Sequence, residues 1–545
     1  MNEFELKFEI PAQSLPKIVA AFHAKKAQLQ QLHACYFDTI DGALVKNGLT
    51  LRMRKEGEDW VQTAKGLTSN SLDRLEHNVE VGSLSTNATD TIVTGSKANS
   101  FKLSSHMPSI NVLRHADEKI GKLIIKALKI KVKKSVPALI PIYETDVQRL
   151  KFTVKHAGSF IEIALDQGLV ISGGRSAALC ELEIELKQID LKQGRPEHAA
   201  ALARIWCAKY GLWLSTINKS MKGQRLHDGL LSSQLQPKSE EDKPELVGKA
   251  NGQQMVKAVF QSCLNQILAN ASEIGGETPF EDANSDKHAE HIHQLRVGIR
   301  RLRTAMRELS VLVDGVDSAW EKPLINAFRK LGEERDSNHL NHVLQPQIVA
   351  AGGPAVNTYS NVAKLLDASA VVRSKAFQDT LLCLIAYVNS GFLDESVADN
   401  KTNHLPHNAK ENYSHKKVRK ILANRLDKLH KKIVFKGKRF LTLTEKQQHS
   451  LRKHFKRLRY LTEFSAPQLS KSSSEKKRTL AFISALKPVQ DALGLYNDEL
   501  MALQTYRKLA ATDARAWYAI GWLSARRKKN AKKCQQKINI FIKKT

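Results

Sequence analysis

The chain has 545 residues, 42% of them apolar and 26% charged, and a formal net charge of +30 from 85 Lys and Arg against 55 Asp and Glu. That length predicts two or more domains, each with its own core, and that charge predicts a polyanionic partner: nucleic acid, an anionic membrane or condensed phosphate. The six scattered cysteines form no CxxC pair, so neither a disulfide framework nor a thiolate zinc site is expected.

The charge is uneven: residues 1–240 carry 33 basic and 25 acidic side chains, and residues 241–545 carry 52 and 30. The longest apolar runs, such as Leu381 to Val388, are too short to span a bilayer, and no membrane partner is expected. The chain opens on an alternating strand and is read as lacking a signal peptide, with a cytoplasmic location expected.

That first strand is Glu3-Phe4-Glu5-Leu6-Lys7. Alternate side chains of a strand point to opposite faces, so Glu3, Glu5 and Lys7 share one face while Phe4 and Leu6 share the other. The carboxylates stand roughly 6.5 Å apart, within reach of one metal ion or two neighbouring ones. Taken alone, the triplet is better read as a half-buried strand with a wet charged face, and the case for chemistry comes from the other strands.

The spacing then predicts a helix over Ser14 to Lys26 and a short strand at Cys35 to Thr39. A hairpin follows, with Arg52 and Arg54 on its first strand and Lys65 ending its second. Arg74, Glu76, His77 and Glu80 decorate another alternating run, and residues 83–110 read as a Ser/Thr/Asn-rich loop. A basic amphipathic helix is expected from Asp117 to Lys134, before Pro137. Strands resume at Tyr143 to Val154, with Arg149 and Lys151 on one face, and at Phe160 to Asp166, where Glu162 and Asp166 oppose Ile161, Ile163 and Leu165. Glu181 to Lys187 alternates strictly, Glu197 to Tyr210 reads as a helix, and a basic tail carries Lys219, Lys222 and Arg225.

A solvated sheet has no reason to sort its charges this way. A closed barrel with a charged lumen does, because one face of every strand points inward and helices can cover the other. Such a lumen suits a phosphate chain. Lys and Arg neutralise its oxygens, and carboxylates on adjacent strands hold a hard cation such as Mg²⁺ or Mn²⁺.

The motifs Glu3-x-Glu5-x-Lys7, Leu51-Arg52-x-Arg54, Thr63-Ala64-Lys65-Gly66, Arg74-x-Glu76, Ile161-Glu162-x-x-Leu165-Asp166 and Glu181-x-Glu183-x-Glu185-Leu186 occur in the order seen in CYTH domains of triphosphate tunnel metalloenzymes. The chain resembles that family over nearly all of residues 1–225. Asn218-Lys219-Ser220-Met221-Lys222-Gly223 resembles its closing Ser-Lys-x-x-Arg-Gly element, with Asn218 and Lys222 departing from it. The resemblance implies an α+β protein that begins with an eight-stranded antiparallel β-barrel, a tunnel flanked by helices. It also implies metal-dependent hydrolysis of a triphosphate, or cyclisation of ATP in one branch. By position it makes Glu3 and Glu5 catalytic metal ligands, joined by Asp166, Glu183 and Glu185 with Glu181 a bystander. Lys7, Arg52, Arg54, Lys65, Arg149 and Lys219 grip phosphates.

Residues 229–247 read as a linker between a domain at 1–228 and one at 248–545. Beyond it the apolar period is helical. His293, Arg296, Arg300, Arg303 and Arg307 run beside a stripe of Leu295, Ile299, Leu302, Met306 and Leu309. The pattern returns with His449, Arg452, Lys456 and Arg459 beside Leu451, Phe455 and Leu458. Leu331-Gly332 follows the first and Leu493-Gly494 the second, with His-to-Gly spacings of 39 and 45 residues. This repetition predicts an internal duplication, about 248–400 and 401–545, and an all-α pair of bundles. Residues 401–460 hold 19 basic and 3 acidic side chains. His288, His291 and His293 lack acids or cysteines to complete a zinc site, which favours a polyanion-facing role.

These features resemble the CHAD domain, a helical module often fused behind CYTH domains. The resemblance implies that inorganic polyphosphate binds a basic groove through His293, Arg296, Arg300, Arg303, His449, Arg452, Lys456 and Arg459. The leading expectation is a hydrolase of inorganic triphosphate with a polyphosphate-binding module. Thiamine triphosphatase or adenylate cyclase is the enzymatic alternative. A nucleic-acid binder is the non-enzymatic one, disfavoured by 6% aromatics and no stacking motif.

Overall fold

The computed structural model describes residues 2–67, 73–82, 107–130, 137–187, 194–230, 238, 244, 249–276, 286–356, 367–390, 413–470 and 472–545. The expected loop at 83–110 and linker at 229–247 lie largely outside the described residues. The chain divides into two compact units. One comprises Met1–Lys238, Asn265–His291 and Val372–Asp394; the other comprises Ser239–Leu264, Ile292–Val371 and Glu395–Thr545.

The alternating runs of the first unit become β1 (Asn2–Glu9), β2 (Gln28–Asp38), β3 (Leu49–Glu56), β4 (Asp59–Leu67), β5 (Asp73–Gly82), β6 (Ile140–His156), β7 (Ser159–Ser172) and β8 (Arg175–Lys187), with a two-residue β9 (Trp213–Leu214). They form one antiparallel sheet in the order β5-β4-β3-β2-β6-β7-β8-β1-β9, and β1 also pairs with β5 through Asn2↔Leu75 and Phe4↔Asp73. The described sheet therefore has nine strands where eight were expected. The reason is local: Gly211 takes a left-handed conformation (φ 70°) at the end of the preceding helix and returns Trp213 and Leu214 beside Glu9 and Phe8.

The helices are α1 (Leu15–Ala24), α2 (Lys119–Ala127), α3 (Pro196–Tyr210), α4 (Lys219–Asp228), α5 (Gly252–Gly275), α6 (Asp286–Leu309), α7 (Glu321–His339), α8 (Gln345–Ala350), α9 (Ala368–Arg373), α10 (Lys375–Asn389), α11 (His415–Gly437), α12 (Glu445–Leu469), α13 (Ser473–Leu509) and α14 (Ala516–Lys544). None of the described helices is long and apolar enough to cross a membrane.

Alternation decides how the sheet is covered. Phe4, Leu6 and Phe8 are buried, as are Ile161, Ile163, Leu165, Leu182 and Ile184 on the neighbouring strands. On this apolar side, Phe22 of α1 packs edge-on against Phe152 of β6 at 4.9 Å and against Trp206 of α3 at 5.9 Å. Ile120 and Ile124 of α2 cover Leu49, Leu51 and Ala64 of β3 and β4. Each such buried side chain contributes about 1.5–3 kcal/mol. The helix expected to run to Lys134 ends at Ala127, and Lys129 just beyond it has a positive φ of 54°. In the same unit α10 lies against α3, where Arg204 donates to Asp379 at 2.7 Å.

The second unit realises each repeated motif pair as two packed helices. In the first copy a Cβ on Gly332 of α7 would sit 2.0 Å from Arg296 Nη1, so the glycine leaves room for a guanidinium that donates to the Phe328 carbonyl at 3.1 Å. In the second copy His449 of α12 faces Asn497 of α13 at 2.7 Å, and Tyr496 donates to Gln448 at 3.0 Å.

Gly168 of β7 stands opposite Val147 of β6, and a Cβ there would lie 2.0 Å from the Asp146 carbonyl oxygen. Backbone cannot give way as a side-chain end can. Gly168→Ala should therefore destabilise the first unit by about 1–3 kcal/mol, measured as a lowered urea midpoint at unchanged slope.

Candidate active site

The charged face of the sheet is assembled by register. Across β1 and β8, Glu5 stands opposite Glu185, Lys7 opposite Glu183 and Glu9 opposite Glu181. Across β7 and β8, Asp166 stands opposite Glu181; across β6 and β7, Arg149 stands opposite Asp166. One end of this face is apolar: Leu32, Ala34, Tyr36, Tyr143, Val147, Val170 and Leu179 form a cluster in which Tyr36 and Tyr143 stack at 4.6 Å. The other end holds the charges.

The segment read from sequence as a basic tail is the helix α4. The Asn218 side chain caps it by accepting the Met221 N–H at 2.8 Å, and Gly229 (φ 66°) ends it. Leu226 packs on the apolar cluster, and Gly223 fits against the Tyr143 ring, where a Cβ would come within 2.1 Å of a ring carbon. Docked in this way, α4 sends Lys219 and Lys222 into the charged end.

Lys219 Nζ lies 2.7 Å from Asp166 Oδ2, 2.5 Å from Glu181 Oε1 and 2.6 Å from Glu183 Oε1. Lys7 Nζ lies 3.1 Å from Glu181, 2.9 Å from Glu183 and 3.5 Å from Glu5. Arg149 grips both oxygens of Asp166, at 2.7 and 2.6 Å, and reaches Glu183 at 2.5 Å. Lys222 joins Glu9 at 3.1 Å to Glu181 at 3.2 Å.

Burial penalises every charge here, so each survives only through its partners. Burial raises the Glu181 carboxyl, yet Lys219, Lys7 and Lys222 outweigh it and hold it down to about 2. Burial raises Glu183 too, and Lys219, Lys7 and Arg149 bring it well below the usual carboxylate range. The same burial lowers Lys7 and Lys219, but the facing carboxylates lift both ammonium groups above their ordinary value.

The expected phosphate-gripping residues Lys7, Arg149 and Lys219 meet at this cluster. Arg52 is buried on β3, with Nη1 3.5 Å from the Tyr36 hydroxyl and its Nε buried without a hydrogen bond. Burial raises the Tyr36 phenol, but Arg52 beside it carries it below its ordinary value. Arg54 pairs with Glu56, and Lys65 with Glu76. Of the expected metal ligands, Asp166 and Glu183 come together with Glu181: among the described residues these three place carboxylate oxygens within 4.8 Å of one another. Glu185 instead pairs with Lys187 at 2.7 Å. Glu5 Oε1 is buried and makes no hydrogen bond. Glu3 lies in β1 opposite Arg74, and the side chains of both are outside the described residues.

Sequence reasoning set Glu181 aside, and the structure puts it at 0% exposure in the middle of the network. Its parity in the strict alternation with Glu183 and Glu185 was the available signal. Three oxygen-donating carboxylates this close fit a hard divalent cation, and Lys219 now sits among them.

In the second unit the two basic rows come from helices in contact. Arg300 of α6 donates to the Tyr460 hydroxyl of α12 at 3.1 Å, and Arg301 lies 5.8 Å from the Phe464 ring. Arg303 pairs with Glu321 at 2.9 Å and Arg459 with Glu463 at 2.6 Å. His293, Arg452 and Lys456 lie half-buried on the same two helices, while His449 is exposed. In the first unit His288 and His291 are buried; His291 Nδ1 lies 3.0 Å from Asn270 Oδ1.

Two family models match the chain. A family model described as CYTH domain matches residues 1–220, and one described as CHAD domain matches residues 258–507. An inorganic triphosphatase of Haemophilus influenzae is 27% identical over 193 residues, 34% of this chain and 46% of that protein; the chain thus spans about half the length of this curated relative. Among solved structures, the CHAD domain of the plant Ricinus communis is 21% identical with a TM-score of 0.42, covering 56% of this chain and 96% of that one. A Hippeastrum protein described as revealing a dominant triphosphatase activity is 14% identical with a TM-score of 0.26, covering 42% and 97%.

Because Glu181 is held below its ordinary value, the stability it contributes is complete above about pH 4.5 and is lost as the pH falls towards 2. Glu181→Gln should take one carboxylate partner from each of Lys7, Lys219 and Lys222 and cost about 3–5 kcal/mol at pH 7. Urea titrations across the acid range should show the variant losing less stability below pH 4.5 than the parent does.

Proposed function

From a chain whose residues 1–220 are a CYTH domain and whose residues 258–507 are a CHAD domain, we propose a metal-dependent inorganic triphosphatase joined to a polyphosphate-binding helical unit. It converts tripolyphosphate to pyrophosphate and phosphate. The observation that carries this reading is the buried interleaving of Lys7, Arg149 and Lys219 with Asp166, Glu181 and Glu183. The pairing of β1 with both β5 and β8 supports reading the eight long strands as a tunnel around these charges.

Lys7, Arg52, Arg54, Lys65, Arg149 and Lys219 supply donors for the oxygens of linked phosphates. The buried Nε of Arg52, without a hydrogen bond, has a donor to spare for such an oxygen. Glu3, Glu5, Asp166, Glu181, Glu183 and Glu185 supply the hard oxygens that would hold Mg²⁺ or Mn²⁺. When bound, such an ion neutralises phosphate charge and acidifies a water. Glu5, whose buried Oε1 makes no hydrogen bond and lies 3.5 Å from Lys7 Nζ, would offer an acceptor for a proton of the attacking water. The arginines and Lys65 on β3 and β4 stabilise charge building on the departing pyrophosphate.

An all-charged substrate is favoured by three observations. The Tyr36–Tyr143 stack and Leu226 fill the apolar end of the face. No GxxxxGK[ST] loop occurs in the sequence. The Haemophilus influenzae relative is described as an inorganic triphosphatase. In the second unit the contact between α6 and α12 joins the two basic rows into one surface for a longer polyanion. The six free cysteines suit a reducing interior.

A panel of tripolyphosphate, ATP and thiamine triphosphate, with Mg²⁺ or Mn²⁺, should show fastest phosphate release from tripolyphosphate. Conversion of ATP to cyclic AMP with tripolyphosphate untouched would overturn the proposal. Glu5→Gln should lower kcat by about a hundredfold or more and leave polyphosphate binding intact. Arg300→Ala combined with Lys456→Ala should weaken long-chain polyphosphate binding by about tenfold at unchanged triphosphate turnover, read by fluorescence anisotropy. Competition with RNA at fixed ionic strength checks that the polymer preferred is polyphosphate.

A further inference from the structure

The three carboxylates that gather within 4.8 Å of one another, Asp166, Glu181 and Glu183, are the same three that the Lys219 ammonium touches, each within 2.7 Å. The other cations bordering the trio are differently placed. Lys7 and Arg149 rise from the long strands β1 and β6 and approach from the sheet itself. Lys219 is the first residue of the ten-residue helix α4, and its flexible four-carbon stem carries the only charge that contacts all three acids among the described residues.

An ammonium and a hard dication ask for the same donors. A divalent cation taking oxygens from Asp166, Glu181 and Glu183 would meet Lys219 Nζ within one hydrogen-bond length of every ligand, a like-charge contact in a buried site. Neither ion tolerates the other there.

We infer that Lys219 is a tethered counter-cation. Without metal, its ammonium holds Asp166, Glu181 and Glu183 together, and a divalent cation engages those carboxylates only by displacing it. The inference rests on reading this cluster as the cation site of the proposed triphosphatase. It explains how carboxylates so close together remain ionised and ordered when no metal neutralises them. It also links two events: the displaced ammonium, still anchored to α4, becomes free to meet a phosphate oxygen as the metal enters.

The test uses the full chain without any phosphate substrate. Isothermal titration with MnCl₂ compares the parent with Lys219→Met, which keeps an unbranched side chain one atom shorter and removes the charge. The variant should bind Mn²⁺ at least about tenfold more tightly, because no counter-cation has to leave. Lys219→Arg, which retains the charge, should bind no more tightly than the parent. Equal or weaker binding by Lys219→Met overturns the inference, as does absence of Mn²⁺ uptake by both chains.

Should Lys219→Met fail to fold, the unaltered chain still decides. Acetylation of Lys219 by an amine-reactive reagent, followed by mass spectrometry, should be several-fold faster with Mn²⁺ than without it. An unchanged or slower rate sinks the idea. A chain that binds Mn²⁺ as expected but ignores tripolyphosphate would fail the functional reading alone. One that hydrolyses tripolyphosphate but shows no Lys219 effect would fail this inference alone.

Discussion

Opposite charges buried at hydrogen-bond distance are the constraint on which the first unit depends. Asp166 and Glu181 have no exposed side-chain surface, and Glu183 very little. Taking such groups out of water costs several kcal/mol each, and only close, well-directed cations repay it. Lys7, Arg149 and Lys219 do so from three different elements. The network therefore ties β1, β6, β7, β8 and α4 into one arrangement, and displacing any of them leaves a charge stranded. A site built this way is not an economical means of adding stability.

The rest of the unit serves that arrangement by keeping the two faces of the sheet apart. The apolar face is closed off by α1, α2 and α3 through Phe22, Trp206, Ile120 and Ile124. On the charged face, the Tyr36–Tyr143 stack and Leu226 of α4 fill one end. Gly223 lets α4 lie close enough for Lys219 to reach the acids. Packing far from the charges thus sets where the charges stand.

The helical unit applies a different economy. Its basic side chains are not simply displayed to solvent: Arg296 lies 4.4 Å from the Phe328 ring, Arg300 donates to Tyr460, and the buried Glu308 pairs with Arg425 and Arg457. Aromatic faces and one buried acid fix the guanidinium groups in direction.

The alternation of Glu3-Phe4-Glu5-Leu6-Lys7 and of Glu181 to Lys187, the clustering of Arg52 and Arg54, and the repeated His-x-x-Arg helices were legible in the chain itself. Side-chain period is a local property, and it determined the strand faces and the change to helices. Register between strands far apart in sequence is not local. Nothing in the order of residues says that Glu181 of β8 meets Glu9 of β1 while Glu185 meets Glu5, which is what brings Lys7 beside the buried Glu181. Nor does a short basic segment reveal that an Asn218 cap and a glycine against Tyr143 make it a docked helix. Which groups carry charge, and on which side of each element, belonged to the sequence; which of them share a site was decided by pairing and docking, because only those bring Lys7 to Glu183, 176 positions away, and Lys219 of a separate helix to the same carboxylate.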